Sequence, residues 1–153
     1  MNKGIKFEKQ VKIYLEDKFG TEFKSAKFKI GNPAKEHKFD LVSEVQKIII
    51  ECKCYKWRKK NKVPCAKIST LNEAVFFMQN INPPYDKYLK VIILKKEYNS
   101  DKKKTLAQYY HDTYGCLAKD IEILEIDNLN NIGFIKGKHL KNILNNTSKN
   151  YTL

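Results

Sequence analysis

The stretch Ile48-Ile49-Ile50-Glu51-Cys52-Lys53-Cys54-Tyr55 constrains the fold of this chain more than any other. Side chains alternate faces along a β-strand. In an extended conformation Ile49, Glu51, Lys53 and Tyr55 share one face, and Ile48, Ile50, Cys52 and Cys54 share the other. So apolar a run belongs inside a sheet that is covered on both sides. Two opposite charges in its middle require a reason, because a buried charge is costly unless it is paired or holds a metal. Just upstream, His37-Lys38-Phe39-Asp40 puts an aspartate at the end of another expected strand.

The elements around this strand follow from periodicity and punctuation. Residues 4–19 read as an amphipathic helix that Gly20 ends, with Ile5, Phe7, Val11, Tyr14, Leu15 and Phe19 on one apolar arc. Glu8 falls inside that arc, an acid aimed at the core or at a site bordering it. Residues 23–30, 37–42 and 47–55 read as three strands of a meander, with Gly31-Asn32-Pro33 as turn chemistry. Thr70-x-x-Glu73 has the capping-box pattern and is expected to open a helix through Ile81, which Pro83-Pro84 stops. Phe76 and Phe77 exceed what one face of that helix needs, so it is either buried all round or a dimer contact. Residues 88–95 and 121–126 read as strands, 101–117 as a helix and 136–146 as a short basic helix. The fold class expected is α/β, a mixed sheet flanked by helices in the order αβββαβαβ with a last helix. The domain expected is a single one over residues 1–144, with 145–153 a frayed tail.

The chain has 153 residues and a net charge of +13. The pI is near 9.5. This balance points to a polyanionic partner, nucleic acid before an anionic membrane surface. Arg58 is the only arginine, and the basic residues are not evenly spread. No acid lies between Glu51 and Glu73, a window that holds Lys53, Lys56, Arg58, Lys59, Lys60, Lys62 and Lys67. Lys56, Arg58, Lys59, Lys60 and Lys62 are the candidate phosphate contacts, and Trp57 either stacks on a base or covers the sheet edge. The plainer alternative for the whole segment is a solvated lysine-rich loop. No apolar run approaches the roughly 20 residues of a membrane span, and the N-terminus lacks a signal-peptide pattern. A cytoplasmic protein that makes no membrane contact is the expectation. Cys52-x-Cys54 does not have zinc-site spacing, and Cys65 and Cys116 stand alone; Cys52 and Cys54, beside Ile48 and Ile50, read as small core residues.

An inward glutamate on the first helix, an aspartate on one strand and Glu-x-Lys on the next resemble the PD-(D/E)xK nuclease superfamily. The resemblance spans roughly residues 4–126, and Phe39 stands where the motif's name has proline. It implies a restriction-endonuclease-like fold and a metal-dependent endonuclease that hydrolyses DNA. Asp40 and Glu51, with the main-chain carbonyl of Cys52, would hold Mg²⁺ or Mn²⁺. Hard Mg²⁺ takes oxygen ligands and keeps several waters, so two carboxylates can suffice. Lys53, roughly 7 Å along the same face from Glu51 by strand rise, would orient the attacking water or stabilise the pentacovalent phosphorus. Glu8 would orient water or serve a second metal.

The activity implied is of restriction or defence type, on a homodimer if both strands of a duplex are cut. Two alternatives compete with it: a structure-specific nuclease like the Holliday-junction resolvases, and a nucleic-acid-binding domain without catalysis. RNA is not excluded as the partner, since phosphate contacts carry no information about the sugar.

Overall fold

In the structure, a computed structural model, residues 2–150 are described, with side chains through 147. Helix α1 (Lys3–Phe19) is capped at its start by the Asn2 side chain, which accepts the Ile5 N–H. It ends at Gly20, whose φ of 65° is left-handed. Three strands follow: β1 (Lys24–Ile30), β2 (Lys35–Ser43) and β3 (Ile48–Lys53). After the basic loop come α2 (Cys65–Gln79) and β4 (Leu89–Lys95). A two-stranded ribbon, β5 (Tyr98–Asn99) with β6 (Lys104–Thr105), leads into α3 (Leu106–Tyr114). The chain closes with β7 (Ile121–Ile126), β8 (Ile132–Lys136) and α4 (His139–Asn150).

Six strands form one sheet in the order β1-β2-β3-β4-β7-β8. The outer pairs are antiparallel, whereas β3, β4 and β7 run parallel. Parallel neighbours need crossover connections, and right-handed crossovers that advance in one direction put their helices on one face. Accordingly α2 and α3 share a face of the sheet: Ile68, Leu71, Met78, Leu106 and Tyr110 pack there with Ile49, Ile92 and Ile123. On the other face α1 and α4 contribute Phe7, Val11, Leu15, Leu140 and Leu144, packed with Ile48, Ile50, Val91 and Leu124. Strand β3 is thus covered on both sides, and its three isoleucines have no exposed surface. Among the described residues no helix is long and apolar enough to cross a membrane.

Several local expectations differ from this architecture. Helix α2 begins at Cys65, not at Thr70, whose hydroxyl donates to the Ala66 carbonyl one turn back. The capping box lies instead at Thr105 and Gln108, inside the segment read as continuous helix, so α3 starts at Leu106. Strand β8 was not expected, nor was the ribbon β5–β6. Ile5 leaves the apolar arc and is 53% exposed, and Phe76 is exposed on α2. Helix α4 continues to Asn150, through residues assigned to a frayed tail, while residues 151–153 lie outside the described residues. The helix holds because Leu140 and Leu144 are buried and because the Glu122 carboxylate accepts the N–H groups of His139 and Leu140 at its first turn.

Candidate active site

The site starts from an irregularity in β2. Pairing with β1 runs Lys24↔Val42 and then Ala26↔Phe39, so β2 carries one residue more than its partner. A bulge of this kind bends a strand and re-aims a side chain. Here Phe39 and Val42 both enter the α2–α3 face, Leu41 enters the α1–α4 face, and Asp40 lies between them. The ladder between β2 and β3 stops at Leu41↔Ile50. One step further, Asp40 and Glu51 would be opposite each other, and there side chains replace the ladder. Glu51 Oε1 accepts the main-chain N–H of Asp40 at 3.1 Å, and Asp40 Oδ2 accepts that of Cys52 at 2.9 Å. Each carboxylate is anchored through one oxygen.

The electrostatics follow from burial. Glu51 is 5% exposed. Burial, and then the negative charge of Asp40, push its carboxyl up to about 7, with Lys53 and the Asp40 N–H opposing. Lys53 Nζ lies 3.5 Å from Glu51 Oε2. Burial disfavours its ammonium, but Glu51, followed by Tyr55 and Asp40, outweighs burial and raises its pKa above the ordinary lysine value. Glu8 borders the same site from α1 and is half-buried. Burial and the Asp40 charge raise its carboxyl too, against Lys38 and Lys53. The Cys52 thiol points to the α1–α4 face, and burial first, then Asp40, holds its pKa well above the ordinary value. A protonated thiol is a poor metal ligand, so Cys52 could contribute only its carbonyl.

Asp40, Glu51, Cys52, Lys53 and Glu8 are therefore brought together. Among the described residues no group of three or more His, Cys, Asp or Glu side chains is arranged to hold a metal ion. The carboxylate oxygens not anchored to backbone are Asp40 Oδ1 and Glu51 Oε2. Lys38, exposed two residues before Asp40 on β2, adds a positive charge near enough to Glu8 to oppose the rise of its carboxyl.

The remaining candidates are placed elsewhere. The loop after β3 carries Arg58, Lys59, Lys60 and Lys62 exposed at its tip, where Lys60 and Asn61 have left-handed φ of 59° and 57°. Asn61 pins the tip to the β5–β6 ribbon through Asp101 Oδ2 and through Asn99, which donates to its carbonyl. Trp57 serves the structure: its indole N–H donates to the Glu97 carbonyl at 2.9 Å, and its ring meets Tyr109 edge-on at 5.6 Å. Lys56 is exposed and lines one cavity with Lys3 and Lys6 of α1 and another with Arg58 and the start of α2. His37 is wedged against Phe39 and Phe77, where burial lowers its pKa. All four cysteines are free. Comparison of the chain with protein-family models, with curated proteins and with solved structures finds no match.

Proposed function

We propose that the chain is a metal-dependent endonuclease that hydrolyses DNA phosphodiester bonds, of restriction or defence type. The observation that carries this reading is the pair Asp40–Glu51. Two carboxylates are locked to each other's strands beside a lysine ammonium, in a place where burial and the Asp40 charge disfavour the ionised form of Glu51. A structural salt bridge explains Glu51 with Lys53, and Asp40 caps the Cys52 N–H, but neither role offsets the repulsion between the two acids. A divalent cation fits: it offsets the repulsion between the two acids, and the oxygens not held by backbone, Asp40 Oδ1 and Glu51 Oε2, are the hard ligands that Mg²⁺ or Mn²⁺ takes, the second of them shared with Lys53. The carbonyl of Cys52 is the third oxygen the resemblance implies.

When bound, the cation supplies charge neutralisation at the phosphate and lowers the pKa of water. The chain's own residues do the rest. Lys53 stays protonated, so its ammonium orients the attacking water or binds a non-bridging phosphate oxygen as negative charge grows there. Glu8, with its carboxyl raised, is suited to accept or hold a proton at the edge of the site. Lys38 and the loop lysines attract the phosphate backbone.

The test is nicking of supercoiled plasmid with Mg²⁺ or Mn²⁺ by the wild type, Glu51→Ala and Lys53→Ala. Cleavage by the wild type and its loss by at least 100-fold in both variants are expected. Equal cleavage by all three proteins rejects the site. Absence of cleavage together with duplex binding turns the reading to a non-catalytic binding domain. Strong preference for four-way junctions over linear duplex turns it to a structure-specific nuclease.

A further inference from the structure

The parallel strands β3, β4 and β7 end on the same edge of the sheet, and ligands in α/β proteins gather at that carboxyl edge. Glu51 and Lys53 stand there at the end of β3. A cavity of about 520 Å³ opens on the same edge beneath the first turns of α1. Its wall carries Lys3 and Lys6 from α1, Lys56 from the segment after β3, and Lys95 and Lys96 from the end of β4.

The acids of this wall are Glu97 and Asp127, and they do not balance the lysines. The Asp127 carboxylate is already engaged by the N–H groups of Leu129 and Asn131 and by the Asn131 side chain. Among the described residues, none of these lysines is in a salt bridge. Lys3 and Lys56 line the same cavity, and the Lys56 side chain lowers the pKa of Lys3, by hydrogen bonding first and by charge second. Glu97 acts on Lys3, Lys96 acts on Asp127 and the Lys95 ammonium donates to Asn128 Oδ1, but two acids beside five lysines leave an excess of positive charge that an anion relieves.

We propose that this cavity is a phosphate subsite that grips the DNA backbone beside the scissile position. The proposal rests on the nuclease reading and adds to it Lys3, Lys6, Lys95 and Lys96, which no motif marks. From Lys53 to Lys56 the chain spans at most roughly 11 Å. The subsite therefore adjoins the carboxylate pair along the chain, and the phosphate held belongs to the same stretch of duplex as the one cleaved. The subsite and the carboxylate pair thus read one strand from two sides of β3, the first from the α1 face and the second from the gap between β2 and β3.

The experiment is fluorescence anisotropy of a labelled duplex with the full chain in EDTA, across a salt series. Two separate double variants probe the cavity, Lys3→Gln/Lys6→Gln and Lys95→Gln/Lys96→Gln. A control, Lys87→Gln/Lys119→Gln, removes two exposed lysines at the opposite edge of the sheet. Each cavity pair is expected to weaken binding at least tenfold at about 0.1 M salt and to flatten the salt dependence by about one per lysine. The control is expected to change neither. Thermal melts identify a pair that fails to fold, and the other pair then decides. If the wild type binds duplex and both cavity pairs behave as the control, the subsite is wrong and the nuclease reading stands. If the wild type neither binds nor cuts duplex, both fall together.

Discussion

Glu51 accepts the main-chain N–H of Asp40 at 3.1 Å, and Asp40 accepts that of Cys52, the residue next to Glu51, at 2.9 Å. Each acid thus closes the backbone position that the other's strand leaves open where β2 and β3 part. The arrangement satisfies N–H groups that would otherwise be buried without partners. It also fixes two carboxylates without spending their outward oxygens. The two acids are part of the sheet's own hydrogen bonding, and fixing the groups that would meet a ligand is what the proposed site would require of preorganisation.

The raised Glu51 carboxyl makes stability depend on pH in a definite direction. It titrates near 7 in the folded protein and at about 4.3 in an unfolded chain. Between these values the folded state binds more protons, so stability falls as pH rises through this window and is level above it. The effect is of the order of 3 kcal/mol at full strength. Lys53 titrates above the window, and Glu8 shifts in the same direction but is present in both proteins compared. The free energy of unfolding in urea, measured without metal, is therefore expected to drop between pH 5 and pH 7.5 for the wild type relative to Glu51→Gln. Mg²⁺ is expected to raise the wild-type melting midpoint more at pH 8 than at pH 5.5, because the proton and the metal compete for one carboxylate. A pH-independent difference between the two proteins would refute the assignment.

Much of this site was legible in residues 48–55. A strand buried on both faces admits Glu51 and Lys53 only for a reason, and the register bears out their shared face with Ile49. What the sequence could not reveal is how Asp40 reaches them. Simple alternation puts Asp40 on the face opposite Phe39 and Leu41, but the extra residue in β2 separates Phe39 from Leu41 and sends Asp40 to the parting of the strands. Bulges leave no periodic mark. Thr70-x-x-Glu73 misled for a different reason: a threonine hydroxyl bonds the carbonyl one turn back inside a helix as readily as it caps one. Strand β8 escaped because Gly133 breaks its pattern. That glycine faces Glu125, where a Cβ would lie 2.9 Å from the glutamate side chain. The lysine cavity joins residues more than 90 positions apart, and only the fold assembles it.

Trp57 separates a structural aromatic from a nucleic-acid contact. Its N–H is engaged by Glu97 and its ring by Tyr109, so Trp57→Leu is expected to cost roughly 1–3 kcal/mol of stability. Duplex affinity measured by anisotropy is expected to stay within about twofold. A base stacked on this ring would contribute roughly 1–3 kcal/mol to binding. A tenfold or greater loss of affinity at unchanged stability would therefore return Trp57 to the nucleic-acid interface.

The last element depends on one carboxylate in the same way as the active site does. Glu122 is 6% exposed and accepts the His139 and Leu140 N–H groups at 2.9 and 3.0 Å, a charge placed at the positive end of α4. Gly137 leads the chain into that helix with φ of 90°, and a Cβ there would collide with the Glu122 carboxylate. Gly137→Ala therefore combines left-handed strain with displacement of the cap, and a loss of about 2 kcal/mol or more in urea unfolding is expected. Gly4→Ala is the matched control. Gly4 lies in α1, and the nearest atom to its Cβ would be Asn2 Oδ1 at 3.5 Å, an ordinary contact. Alanine is the better helix former, so that change is expected to be neutral or to stabilise by up to about 1 kcal/mol. Equal effects of the two substitutions would show that α4 is not held through Glu122, and the packing of Leu140 and Leu144 would then have to hold it alone.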